Sequence, residues 1–186
     1  MSVLIVLIVI VILVALWVGL SFNGLVARRN RAQSSWAQID VQLQQRHDLV
    51  PNLVATVKGY AEHERDTYEQ VADLRAQAVQ AQASGPEAAG RAENALVSGI
   101  GRLFAVAEAY PELRASEQFR QLQQQLAAVE QKIAIARQIY NDTVATYNTS
   151  IQRFPTLLIA GPMGFRAMEF FQAGAGDDAV PSAAVQ

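Results

Sequence analysis

An apolar run opens the chain, and a pattern of apolar residues spaced three and four apart follows it. Val3 to Leu20 forms 18 consecutive uncharged, largely apolar residues, close to the roughly 20 that a helix needs to cross the hydrocarbon core of a bilayer. Trp17 and Phe22 lie near the end of the run, where aromatic rings favour the membrane interface. The pattern predicts a transmembrane anchor over residues 1–22.

A cleavable signal peptide is the competing interpretation of this run. No Lys or Arg precedes it and no small-x-small cleavage site follows, which favours an uncleaved anchor. Arg28, Arg29 and Arg31 come after the run, and basic flanks are usually retained in the cytoplasm. We therefore expect a single-pass protein of the bacterial inner (cytoplasmic) membrane, with its N-terminus outside and its bulk cytoplasmic. The same arginines are placed either to contact anionic lipid headgroups or to be solvated.

Beyond residue 25, three-and-four spacing predicts helix throughout. The clearest seam, typical of a coiled coil, consists of Phe119, Leu122, Leu126, Val129, Ile133, Ala136, Tyr140, Thr143, Tyr147 and Ser150. Leu96, Gly99, Leu103, Val106 and Tyr110 follow the same rule in a middle stretch. An earlier seam consists of Trp36, Ile39, Leu43, Arg46, Val50, Leu53, Val57 and Tyr60. Gly99 costs helix propensity, so it suggests close approach of a neighbouring helix.

Proline and glycine divide these helical stretches. Breaks are expected at Ser84-Gly85-Pro86, Tyr110-Pro111 and Phe154-Pro155. Pro51 lacks an amide hydrogen and should interrupt and kink the first stretch. The predicted fold is all-α, with an N-terminal transmembrane helix followed by an antiparallel four-helix bundle that has a kinked first helix and a long last helix. The predicted divisions are an anchor (1–22), a helical bundle (23–153), an apolar C-terminal segment (154–173) and a disordered tail (174–186).

Composition argues against catalysis and against nucleic-acid binding. The chain has no cysteine and a formal net charge of -2, so there is no thiol chemistry and no basic footprint for nucleic acid. His63-Glu64 resembles the start of a zinc-binding H-E-x-x-H motif but lacks the second histidine. His47 lies 16 residues earlier, on the opposite side of a straight helix. We predict no enzyme, no cofactor and no metal site.

Three polar seam residues are predicted to be structural. Arg46 lies among apolar seam positions and should pair with an acid from another helix, such as Glu130, Glu108 or Asp142. Tyr140 and Tyr147, seven residues apart, should bury their rings and hydrogen-bond their hydroxyl groups. A ligand groove beside the tyrosines is the less favoured alternative.

The segment after Pro155 is too apolar for a loose tail. It is rich in large side chains, among them Phe154, Leu157, Leu158, Phe165, Phe170 and Phe171. Three interpretations are open: packing on its own bundle, lying in the membrane interface, or docking into a neighbouring protomer. We treat it as a candidate assembly segment.

Long blocks of the sequence resemble the LemA family of bacterial membrane-anchored proteins. They are FNGLVARRNRAQSSWAQIDVQLQQRHDLVPNLVATVKGYAEHE (22–64), YPELRASEQFRQLQQQLAAVEQKIAIARQIYNDTVATYN (110–148) and FPTLLIAGPMGF (154–165). The resemblance implies a kinked antiparallel four-helix bundle behind an anchor, and it implies no enzymatic activity.

The leading functional hypothesis is a non-enzymatic scaffold that is anchored in the bilayer, self-associates, and organises or shapes membrane. The alternative is a signalling or binding adaptor that presents a helical face, the helix around Arg46 to Glu64, to another membrane protein. The expected partners are therefore the lipid bilayer, further copies of the chain and a membrane protein, but no nucleic acid.

Overall fold

The computed structural model describes residues 1–61 and 63–172. Every regular element in this part of the chain is a helix, which confirms the all-helical prediction. The helices are α1 (Ser2–Lys58), α2 (Arg65–Gln82), α3 (Pro86–Glu108), α4 (Pro111–Ala115), α5 (Glu117–Gln152) and α6 (Leu157–Ala160). The predicted disordered tail at 174–186 lies outside the described residues.

The first helix is not interrupted at Pro51, where the sequence predicted a break. It runs from the apolar N-terminal stretch through Pro51 and ends at Lys58. An internal proline costs about 3 kcal/mol in a helix, and two features of this helix offset that cost. Val50, Leu53 and Val57 are fully buried on both sides of the proline, and the carbonyl group that Pro51 leaves without a helical partner accepts a hydrogen bond from Arg75 of α2.

One residue of the first predicted seam, Tyr60, is not buried, because α1 ends before it. Because the helix ends at Lys58, the three-and-four rule no longer governs the residues that follow, and Tyr60 is 45% exposed. The backbone amides of Tyr60 and Ala61 both donate to the carbonyl oxygen of Val57, which closes the helix end. Tyr60 is therefore not a core residue.

The chain forms two compact units. The first comprises Met1–Gln45 and Val129–Phe170, and the second comprises Arg46–Ala128 together with Phe171 and Gln172. One apolar cluster of the first unit brings α1 together with the end of α5 and the segment after it; its buried members are Leu25, Tyr147, Ile151, Ala160 and Phe165. Further buried side chains of this unit on α1 are Ile39 and Leu43.

The second unit has the larger described core. It combines residues from α1, α2, α3, α4 and the start of α5, including Leu53, Val71, Leu96, Leu103, Leu113 and Leu126. At Gly99, a Cβ would lie 2.9 Å from Leu74 Cδ1 and 3.2 Å from Val71 Cγ2. Two helices therefore approach closely at the glycine that the sequence singled out for this purpose.

The predicted seam of α5 is buried along nearly its whole length. Nine of its ten positions are classed as buried, and Thr143 alone is half-buried while the adjacent Val144 is fully buried. Amphipathic spacing was thus sufficient to identify the buried face of this helix.

Candidate functional site

The N-terminal part of α1 is apolar and uncovered. Its most apolar 18-residue window has a mean hydropathy of 3.5 and is 0% buried. Val3 is 81% exposed and Leu20 is 73% exposed, whereas Trp17 is half-buried and Phe22 is 39% exposed. A continuous surface of this kind is unfavourable in water. By length and composition, the helix is able to cross a membrane.

The C-terminal segment folds back onto α1 just after this apolar run. The rings of Phe22 and Phe165 meet edge to face, with centroids 5.6 Å apart. Phe165 is 7% exposed and Phe171 is fully buried. These two members of the candidate assembly segment therefore pack within their own chain.

Other members of the same segment remain uncovered. Phe154 is 75% exposed, Leu157 is 54% exposed and Leu158 is 64% exposed. Phe170 is half-buried. The segment thus has a buried side that attaches it to the protein and an exposed apolar side formed by Phe154, Leu157 and Leu158, which we call the outer face.

Side chains of α5 hold the backbone of this segment. Tyr140 Oη donates to the carbonyl oxygen of Glu169 at 2.8 Å, and Tyr147 Oη donates to that of Arg166 at 2.9 Å. Asn148 is bonded twice to Met168: its Nδ2 donates to the carbonyl oxygen and its Oδ1 accepts from the amide, both at 2.9 Å. The predicted hydroxyl partners of the tyrosines are therefore backbone groups, which carry no signal in the sequence.

Burial changes the acidity of both tyrosines. It raises the pKa of Tyr140 to about 12, and the nearby Glu169 carboxylate adds to the effect. Burial also raises the pKa of Tyr147, while the positive charge of Arg29 opposes that rise. Trp36 covers the Tyr140 ring, with centroids 5.4 Å apart. Both phenols are thus held neutral as hydrogen-bond donors, which fits a structural role.

Two of the three arginines that follow the apolar run border a small cavity. It has a volume of about 130 Å³ and is lined by Arg28 and Arg31 from α1 and by Asp142, Thr143 and Thr146 from α5. Arg29 does not line it. Sequence spacing identified the arginines but gave no indication of the α5 residues that complete the cavity.

Arg46 is buried and pairs with Glu93 of α3, an acid on another helix that the sequence analysis did not name. Arg46 Nη1 donates to Glu93 Oε2 at 2.7 Å, and the second carboxylate oxygen lies 2.6 Å from His47 Nε2. Both partner side chains of the Arg46–Glu93 pair are almost fully buried. The polar cluster of Arg46, His47 and Glu93 therefore joins α1 to α3 within the second unit.

The hydrogen bonds of this cluster define the histidine tautomer. Because ionised Glu93 can only accept, His47 Nε2 carries the hydrogen of their bond. His47 Nδ1 is buried without a hydrogen-bond partner in the described part of the chain. The Glu93 carboxylate therefore accepts hydrogen bonds from both Arg46 and His47 in one buried site.

Arg75 supports the same part of α1. Its Nε donates to the carbonyl oxygen of His47 at 2.7 Å. In a helix this carbonyl accepts from the amide four residues later, which here belongs to Pro51 and has no hydrogen. Helix α2 thus supplies the hydrogen bond that the proline removes from α1.

His47 and His63 do not form a common site. His63 is exposed on the connection before α2, whereas His47 is fully buried. Over residues 1–61 and 63–172, no three or more His, Asp or Glu side chains are grouped so as to hold a metal ion. Structural polar contacts account for the conspicuous titratable residues near Pro51.

These features define an all-helical protein with one N-terminal helix that is long and apolar enough to cross a membrane. The sequence profile of the LemA family matches residues 35–184, which is most of the chain. The chain therefore belongs to the LemA family.

Curated relatives include three magnetosome proteins. Magnetosome protein MamQ of Magnetospirillum gryphiswaldense is 28% identical over 174 aligned residues, covering 81% of this chain and 64% of the relative. Magnetosome proteins MamQ 1 and MamQ 2 of Paramagnetospirillum magneticum are 26% identical over 175 residues with the same coverage. The chain thus spans just under two thirds of the length of these relatives. Neither the family description nor these names specifies a reaction.

Proposed function

We propose that this LemA-family protein is a non-enzymatic, membrane-anchored scaffold that self-associates and organises or shapes membrane. One observation carries the proposal: a single helix, α1, begins as an uncovered apolar stretch and continues without interruption into the cores of the folded units. A helix of this kind attaches folded protein directly to a bilayer. The names of the magnetosome relatives, which refer to a membrane-bounded organelle, agree with a role at membranes.

The proposed topology is that of a single-pass protein of the bacterial inner membrane. The apolar run up to Leu20 crosses the bilayer, and Arg28, Arg29 and Arg31 remain on the cytoplasmic side. Both folded units then lie in the cytoplasm, with the N-terminus outside. Accessibility to a membrane-impermeant reagent of a cysteine introduced at Ser2 and, separately, at Ser116 tests this orientation. Labelling of Ser116→Cys in intact cells would contradict it.

The arrangement that we propose for the folded part is an antiparallel four-helix bundle. Support comes from the order of contacts inside each unit. Along α1, Leu25 clusters with Tyr147 and Ile151, and the later Trp36 contacts the earlier Tyr140. In the second unit only a short turn separates α2 from α3, which favours antiparallel packing of these two helices.

Self-association is proposed to use the outer face, Phe154, Leu157 and Leu158. The contact between Phe22 and Phe165 holds this segment close to the end of the apolar run. Protomers anchored in one bilayer are confined to the same plane, which raises their effective concentration at such a surface. Exposed apolar side chains then become buried between neighbouring copies.

The mass of the detergent-purified full chain tests this interface. We expect an oligomer for the unchanged chain and a shift toward monomer for Leu157→Asn with Leu158→Asn. Val79→Asn is the matched control, because Val79 is also exposed, at 40%, but lies on α2. Deletion of the whole segment is unsuitable since Phe165 and Phe171 belong to the core. Only monomer for the unchanged chain would refute self-association, and an unchanged oligomer in the double variant would exclude the outer face.

A second candidate function is a binding adaptor for another membrane protein. Ile135 and Ile139 lie one turn apart on α5 and are 55% and 45% exposed, which favours an apolar contact on that helix. By contrast, the helix around Arg46 directs much of its surface into the core. Crosslinking in cells separates the two functions: a ladder of self-products supports the scaffold, and one dominant foreign partner that is lost in Ile135→Asn supports the adaptor.

A further inference from the structure

The cavity beside the juxtamembrane arginines has the size and chemistry of a small anion site. Its volume of about 130 Å³ is below the roughly 300–1,000 Å³ typical of sites that enclose a whole small molecule. It therefore suits one polar fragment of a ligand whose remainder lies outside.

Hydrogen-bond donors line this cavity from both α1 and α5. In the part of the chain that the structure describes, neither Arg28 nor Arg31 forms an ion pair. Thr146 adds a hydroxyl group, whereas the Thr143 hydroxyl already donates to the carbonyl oxygen of Tyr140 at 2.7 Å. Two guanidinium groups and one hydroxyl are thus available, and guanidinium groups bind phosphate oxygens with two parallel hydrogen bonds.

Asp142 adds a carboxylate to the lining of the cavity. An ionised carboxylate only accepts hydrogen bonds, so it repels phosphate and favours a hydroxyl group next to it. Two arginines and one aspartate sum to a charge of about +1, which matches a singly charged phosphodiester better than doubly charged free phosphate.

We infer that this cavity binds a phosphodiester whose alcohol half carries a hydroxyl group. Arg28, Arg31 and Thr146 bind the phosphate oxygens, and Asp142 accepts a hydrogen bond from the hydroxyl group of the alcohol half. An anionic phospholipid headgroup and a soluble phosphodiester share this chemistry.

The position of the cavity favours a phospholipid headgroup over a soluble phosphodiester as the ligand. Residues 3–27 carry no charged side chain, so Arg28 is the first charge after the apolar run. It lies about 12 Å beyond Leu20 along the helix, at 1.5 Å per residue. Helical side chains lean toward the helix N-terminus, which in α1 is the direction of the proposed membrane. This placement rests on the membrane anchoring proposed above and is independent of self-association.

Native mass spectrometry of the full chain in an uncharged detergent tests the site by counting lipid adducts. Phosphatidylglycerol supplies the phosphate and the hydroxyl groups, and phosphatidylmethanol has the same charge without a hydroxyl group. We expect one retained phosphatidylglycerol adduct and about tenfold weaker retention of phosphatidylmethanol, as for loss of a hydrogen bond to a charged group. Asp142→Asn should reduce this preference.

Arginine variants separate the cavity from general charge attraction. Arg28→Gln and Arg31→Gln should each weaken retention of phosphatidylglycerol about tenfold. Arg29→Gln is the matched control, since it removes the same charge from the same helical turn but does not line the cavity. Thr146→Val provides a second test that leaves every charge in place. Equal losses in Arg29→Gln and Arg28→Gln, or equal retention of the two lipids, would overturn the inference.

A soluble competitor identifies the source of the ligand. Glycerophosphoglycerol is the phosphatidylglycerol headgroup without acyl chains. Displacement of the lipid by this compound at equal concentration assigns the site to a soluble phosphodiester, and retention of the lipid assigns it to the headgroup. If the unchanged chain retains no phosphatidylglycerol in the absence of competitor but keeps its oligomer mass and its membrane retention, the cavity site is refuted and the proposed scaffold is not affected.

Discussion

Arg75 donates a 2.7 Å hydrogen bond to the carbonyl oxygen of His47, the carbonyl that Pro51 leaves without a partner in its own helix. The relationship explains how α1 continues through a proline. It also links two positions that lie far apart in sequence, because the need for Arg75 depends on the residue at position 51.

A double-mutant cycle measures this dependence. Arg75→Met should lower the free energy of unfolding by about 1.5–3 kcal/mol, the range for a hydrogen bond from a charged group. With Pro51→Ala present, the amide of residue 51 is able to bond to His47, so the same change should cost less than about 1 kcal/mol. Urea unfolding followed by circular dichroism gives both values. Strictly additive effects would show that Arg75 does not replace the missing helical bond.

Glu93 balances the buried charge of Arg46. Glu93→Gln should destabilise the protein by about 3–5 kcal/mol, because it removes the charge of a fully buried carboxylate that bonds both Arg46 and His47. Glu87→Gln on the same helix removes an exposed carboxylate and should cost less than about 1 kcal/mol. Similar unfolding midpoints for the two variants would mean that Arg46 finds its charge balance elsewhere.

Replacing two glycines of α3 with alanine should change the stability of the protein in opposite directions. At Gly90 a Cβ would lie 2.8 Å from the backbone carbonyl oxygen of Gln172, whereas at Gly101 nothing lies within 4 Å. Gly101→Ala should stabilise the protein by about 0.5–1 kcal/mol through helix propensity. Gly90→Ala should destabilise it by about 1–3 kcal/mol through overpacking. Thermal unfolding distinguishes the signs, and stabilisation by both substitutions would show that the C-terminal segment does not press against α3.

Tyr140 should make stability depend on alkaline pH. Its pKa is about 12 in the folded protein, against an ordinary value of 10.0, so the unfolded chain loses the phenolic proton first. The stability contributed by the neutral phenol is complete below pH 10 and is lost as the pH rises toward 12, by about 2 kcal/mol.

The variant Tyr140→Phe isolates this effect. At neutral pH it should cost about 1 kcal/mol, since the hydrogen bond to Glu169 is lost, and its stability should fall less between pH 10 and 12. Urea unfolding at a series of pH values measures the difference. Parallel pH profiles for the variant and the unchanged chain would contradict a raised pKa at this position.

Regular spacing was enough to predict the helices and much of their buried faces. The seam from Phe119 to Ser150 is buried almost as expected because its side chains repeat with the helical period. Gly99 was also interpretable, since a glycine in a seam costs helix propensity unless another helix needs the space.

The spacing of residues along the chain could not predict which side chains contact each other in the folded protein. The end of α1 at Lys58 leaves Tyr60 exposed, and the pairing of Arg46 with Glu93 depends on which helices meet. Likewise, Tyr140 and Tyr147 bond to backbone carbonyl groups, which every residue carries. Such contacts are set by the path of the whole chain rather than by periodicity.

The hydrogen bonds that α5 and α3 make to residues 166–172 have a consequence for the order of events during synthesis. Tyr140, Tyr147 and Asn148 find their partners on residues 166–169, and Asn94 donates to the carbonyl oxygen of Gln172. A ribosome makes these partners after the residues that bond to them, and long after the apolar run of α1. If α1 anchors the chain as proposed, the nascent chain reaches the bilayer before its helices are fully bonded, and the last of these hydrogen bonds form on a polypeptide that is already anchored.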